Sequence, residues 1–164
     1  MPRPSPGRRS RGQIRSLPFR HNLKPALGFE IFRLSQLYDR ADQHRIDHAL
    51  DAPQRPEFHT IYVGLRGKGQ LVVDFTPVPL GAGTLTFVAR GRVQQFVPDR
   101  AVDAWMLLFA PEFVLGGGDA PDPLALPATL ASAWASPAIA MPPGEARELI
   151  ALADQLEAEH ARRR

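Results

Sequence analysis

The 164-residue chain contains no cysteine, which excludes a disulfide framework, a thiol nucleophile and a thiolate metal site. No apolar run approaches the ~18–20 residues that a membrane helix requires; the longest notable one is Ala104–Ala110. A glycine-rich phosphate loop followed by Lys-Ser/Thr is missing, and so is a G-x-S-x-G nucleophile elbow. Aspartates and glutamates are scattered rather than paired at a strand end, so a two-carboxylate acid/base site has no support. The first 29 residues hold no acidic residue at all. Glycine (13) and proline (17) are frequent, yet short of the roughly 25–30% at which composition alone implies disorder. A turn-rich, soluble, single globular domain of cytoplasmic type is expected, with no membrane partner.

What is present is strongly asymmetric in charge. Arg3, Arg8, Arg9, Arg11, Arg15, Arg20 and Lys24 crowd the start, and Arg162–Arg164 close the chain. The intervening residues 30–161 keep ten of the 20 basic residues against all 17 acidic ones, a net of −7. An acidic body is a poor platform for phosphate backbones. Residues 1–27 include five prolines and read as a flexible basic arm. Nucleic-acid binding by the basic ends is a minor reading, which predicts salt-dependent affinity lost on removal of residues 1–24.

Residues 28–111 read as a block of short strands. Phe29–Leu34 alternates apolar and polar residues, the period of a half-buried strand. Phe58–Leu65 is β-branched and aromatic and stops at Arg66-Gly67-Lys68-Gly69, so a hairpin into Leu71–Phe75 is expected. Thr84–Val88, Val93–Val97 and Val102–Phe109 follow, each bounded by turn residues. Short strands without intervening helices argue for an antiparallel sandwich or barrel. Residues 112–144 read as a Pro/Ala-rich connector after a helical turn at Glu112–Leu115. A helix then runs from Glu145 to about His160 within the last segment, 145–164. Its Leu149, Ile150, Leu152, Ala153 and Leu156 make one apolar stripe, which would pack either on its own barrel or on a second subunit.

Of the five histidines, His44 and His48 are spaced i, i+4 but lie in a charged connecting stretch, which reads as a solvated loop. His59 lies inside a strand, where a satisfied structural role is the default.

Two sets of motifs carry a family resemblance. Gly83-x5-Ala89-x-Gly91-x2-Gln94 resembles the second signature of the cupin barrels, with Gln94 where a metal-binding histidine usually stands. Counting back from Gly67 places Thr60 at the glutamate position and Pro53 and Arg55 near the histidine positions of the first signature. Amide, hydroxyl and guanidinium groups cannot rebuild an imidazole/carboxylate site, so neither metal nor other cofactor is expected. More specifically, four stretches taken in order resemble the N-terminal sensor domain of AraC-type bacterial transcription regulators. They are Pro53–Ile61, Gly67-Lys68-Gly69 with Val73-Asp74-Phe75, Gly91–Phe96, and Leu107–Phe113. The likeness covers roughly residues 28–160.

The resemblance implies a mainly β fold, a cupin-like double-stranded β-helix (jelly-roll) barrel followed by a C-terminal α-helix. It implies a small-molecule effector in the barrel, an N-terminal arm able to fold over the pocket, and a homodimer through the last helix. DNA contact is expected only through a helix-turn-helix domain absent from this chain. Strand parity makes Gln94 and Phe96 inward-facing, with Phe58, Thr60 and Tyr62 sharing the interior. His59 then points outward and enters the candidate ligand set only if a bulge shifts the register. On the last strand the resemblance favours Met106 inward, while Trp105 is the better ligand platform chemically. Arg55 at the rim is the candidate partner for an anionic effector, and Leu149, Leu152 and Leu156 are the candidate dimer contacts. Binding without catalysis is the leading expectation. The alternative is a cupin-fold enzyme, an isomerase or dioxygenase with an atypical or absent metal site.

Overall fold

The computed structural model describes residues 14–19, 28–46, 49–114 and 137–163. In chain order the elements are β1 (Arg15–Leu17), β2 (Phe29–Arg33), α1 (Leu34–Asp42), β3 (Gln54–Pro56), β4 (His59–Arg66), β5 (Lys68–Val73) and β6 (Thr76–Gly81). They continue as β7 (Thr84–Val88), β8 (Gln94–Phe96), β9 (Asp103–Phe109), α2 (Pro111–Val114), β10 (Ala138–Ala140) and α3 (Pro143–Arg162). The fold is mainly β. Two five-stranded sheets are ordered β1-β3-β8-β5-β6 and β10-β7-β4-β9-β2, and no strand belongs to both.

Period-2 alternation sorts the second sheet's side chains between two cores. Phe32, Tyr62, Val88, Ala104 and Met106 face inward and meet Leu71, Val73, Val78, Leu80 and Phe96 of the first sheet. The other face, with Ile31, Val63, Phe87, Trp105 and Phe109, is covered by α3 through Ala153, Leu149 and Ile150. Pro143 pre-sets the first turn of α3, Glu145 complements its N-terminus, and His160 and Arg162 complement its C-terminus.

β6, where Pro77–Gly83 reads as a turn region, and β10, inside the expected connector, are strands beyond the expected set, and three further features depart from the sequence expectation. The predicted β4–β5 hairpin does not form: β4 pairs with β7 and β9, and β5 with β6 and β8. The chain turns a corner between sheets at Gly67 (φ +77°), where a Cβ would lie 2.3 Å from the Ala101 carbonyl oxygen. The tight hairpin is β5–β6, closed at Asp74-Phe75, both with positive φ (47° and 65°), as a two-residue primed turn requires.

Second, residues 34–42 are helical. Leu34, Leu37, Tyr38 and Ala41 pack on the inter-sheet core at i, i+3, i+4 and i+7. The start of α1 is capped from outside by the buried Asp103 carboxylate of β9. Its Oδ1 accepts from Ser35 N–H (3.1 Å) and Ala104 N–H (3.0 Å), and its Oδ2 from Ser35 Oγ (3.3 Å) and Arg33 Nε (3.1 Å). Gln36 Oε1 accepts from Arg33 N–H at 2.8 Å.

Third, residues 15–17, expected in a flexible arm, add a parallel strand to β3. No helix among the described residues is long and apolar enough to cross a membrane.

A candidate ligand cavity between the sheets

Where the two sheets splay apart, a cavity of about 370 Å³ opens among residues of β2, β4, β8 and β9. Thr60, Gln94 and Met106 line it together with Phe32, Phe96 and Leu108. The chain after β1 closes one side with Leu17, Pro18 and Phe19, and Phe19 meets Phe58 edge-on at 5.7 Å between centroids. Leu37 and Arg40 of α1, followed by Arg45, Ile46 and Leu50, close another.

Besides the charged Arg15, Glu30, Arg40 and Arg45, the polar residues of this wall are Gln54, Thr60 and Gln94. Tyr62 lies fully buried beside the cavity, and its hydroxyl donates to Gln94 Oε1 at 3.0 Å. Burial pushes the Tyr62 phenol well above its ordinary range, so it stays a neutral donor. This bond fixes the orientation of the Gln94 amide, leaving Nε2 open to the cavity with no hydrogen-bond partner among the described residues. Thr60, only 1% exposed, lines the same wall. Gln54, by contrast, spends its Nε2 on the Ala49 carbonyl at 2.7 Å.

Of the candidate ligand residues, the structure thus brings Phe58, Thr60, Gln94, Phe96 and Met106 together around one cavity, with Tyr62 behind them. Three others lie elsewhere. Trp105 faces the opposite side of its sheet because it is one residue out of phase with Met106; its Nε1 donates to Asp154 Oδ1 of α3 at 2.9 Å. His59 is out of phase with Thr60 for the same reason. It stacks near Phe87 and Phe109 (5.7 and 5.2 Å between centroids), and its Nδ1 accepts from Arg90 N–H at 3.1 Å. Burial, with Arg90 nearby, holds the His59 pKa below its ordinary value. Arg55 is exposed on β3 between the buried Gln54 and Pro56 and does not line the cavity.

The cations that do line it are Arg15, Arg40 and Arg45. Sequence reasoning missed Arg40 because it missed α1: three residues after Leu37, Arg40 reaches the same side only in a helix. Its guanidinium carbon stands 4.6 Å from the centroid of the Phe32 ring.

The three-leucine stripe of the final helix also divides. Leu149 is half-buried against its own sheet with Ala153 and Ile150, because residues seven apart (Ala146, Ala153, His160) form the inner line of α3. Leu152 and Leu156, one turn apart, are 59% and 39% exposed. His44 sits in an exposed turn, and His48 lies outside the described residues. Among the described residues no three His, Cys, Asp or Glu side chains come together as a metal-holding group. Comparison with known protein families and with curated proteins returned no match for this chain.

Proposed function

We propose that the chain is a small-molecule-sensing and dimerisation unit of the AraC-regulator type, built on a cupin-like jelly roll. The observation that carries this reading is the inter-sheet cavity. Its size of about 370 Å³, its largely apolar wall and its fixed polar groups match the usual make-up of a small-ligand site. The order of the four sequence motifs supports the family, and Leu152 and Leu156 offer an exposed apolar pair on α3 for a two-fold contact. In this reading any DNA contact belongs to a helix-turn-helix domain of the regulator type, not to the jelly roll.

Screening small metabolites by thermal shift tests the sensor role. A saturable rise in Tm is expected for the wild-type chain and its loss in Leu108→Trp, which fills the cavity. A shift of equal size in the filled variant would place the ligand elsewhere. Sedimentation tests the pairing: Leu152→Asp with Leu156→Asp is expected to give a folded monomer, and a dimer unaffected by both changes removes α3 from the interface.

A further inference from the structure

Resting on the reading of the cavity as a ligand site, we infer the chemical class of its occupant: an apolar molecule carrying one carboxylate. Arg15 and Glu30, both in the wall, each already have an interaction partner. Arg40 and Arg45 have no carboxylate within ion-pair reach and no side-chain hydrogen bond among the described residues. Arg45 is exposed at the edge, but Arg40 is half-buried. Stacking on Phe32 satisfies the flat face of the Arg40 guanidinium and leaves its in-plane N–H donors open. A donor fork that is partly desolvated, held in place by a ring and given no acceptor among the described residues suits a planar carboxylate.

The rest of the wall limits what the carboxylate is attached to. Phe58, Phe96, Met106 and Leu108 offer only apolar contact, beside the uncharged polar side chains of Gln54, Thr60 and Gln94. A polyhydroxylated neutral ligand would place hydroxyls against these apolar side chains, where burial without a hydrogen bond is unfavourable. An apolar body with one charged end leaves none unpaired. The Gln94 amide, locked by Tyr62, and the Thr60 hydroxyl provide one or two further polar contacts and so discriminate among such acids.

The test uses matched probes on the full chain: octanoate against octan-1-ol, and phenylacetate against 2-phenylethanol, by titration calorimetry and thermal shift. At least one carboxylate is expected to bind roughly tenfold or more tightly than its alcohol. Added salt weakens that preference. Arg40→Gln is expected to erase the preference while leaving alcohol binding in place. Arg45→Gln, at an exposed position, is expected to reduce it in part and serves if Arg40→Gln does not fold. Alcohols binding as tightly as their acids, or a preference unchanged in both variants, overturns the inference. If neither probe class binds but the metabolite screen yields a neutral ligand lost in Leu108→Trp, only the inference falls. If nothing binds at all, the sensor reading falls with it.

Discussion

Asp103 is the residue whose removal gives the most informative change in stability. It is 2% exposed at the start of β9, and its two carboxylate oxygens take four donors. Ser35 N–H is one of the donors that a helix leaves without an internal partner at its N-terminus, so Asp103 does by tertiary contact what an N-cap side chain does locally. Asp103→Ala loses that cap, about 1 kcal/mol. It also strands the Ala104 N–H and Ser35 hydroxyl, about 1–1.5 kcal/mol together. The Arg33 ion pair adds only about 0.5 kcal/mol, because the Arg33 side chain is 39% exposed and solvent screens it. The expected total is about 3 kcal/mol. Asp103→Asn keeps one acceptor oxygen and is expected to cost about 1 kcal/mol. Urea denaturation of the three proteins measures both values, and amide exchange across residues 34–42 locates the loss. Equal penalties for Asn and Ala would refute the reasoning, since charge rather than acceptor geometry would then hold α1. Because α1 carries Leu37 and Arg40 to the cavity, Asp103→Ala is also expected to weaken ligand binding without touching the ligand.

Two further outcomes follow from local geometry. His59 is buried with its pKa lowered, so the folded state binds its proton less readily than the unfolded chain. The stability this neutral form contributes is full above about pH 6.5 and falls as the pH drops below it. His59→Asn, which keeps an acceptor for Arg90 N–H, is expected to show a smaller loss of Tm between about pH 7.5 and about pH 5.5 than the wild type; equal losses would assign the pH dependence to other groups. At the β5–β6 turn, Phe75 is 67% exposed at φ 65°, a conformation that costs a non-glycine residue about 1–2 kcal/mol. Phe75→Gly is expected to stabilise the chain by about 0.5–1 kcal/mol after the added unfolded-state entropy is counted, read from the urea midpoint; a destabilised variant would mean that the Phe75 ring packs productively.

Strands β2, β4, β5, β7, β8 and β9 and the final helix were legible in the sequence because their signals are local: alternation in Phe29–Arg33, β-branched and aromatic residues in His59–Arg66, and a proline-started amphipathic run from Pro143; β1, β3, β6 and β10 were not legible. Parity also separated Thr60 from His59 and Met106 from Trp105, the division the two packed faces display. Pairing was not legible. Arg66–Gly69 has hairpin chemistry, but whether a glycine reverses a strand or carries it to another sheet depends on what lies across from it, here the Ala101 carbonyl. The helix α1 was hidden by its length of nine residues, its lack of an acidic first turn and a cap supplied by Asp103, 68 residues away from Ser35. With α1 unseen, Arg40 could not be placed at the cavity, and Arg55 stood in as the anion partner.

The pairing of the second sheet has a consequence for how the chain reaches this structure. Phe29 and His59 both register with Phe109, so β2 and β4 flank the same strand from far upstream. Non-local pairing of this kind raises contact order, and folding in milliseconds to seconds, rather than microseconds, is the expected regime. During synthesis β2 and β4 leave the ribosome well before the strand that joins them, and wait with apolar faces uncovered. Any fragment ending short of β9 therefore lacks the common partner of both strands and keeps only the β4–β7 pairing of the sheet on which α3 docks.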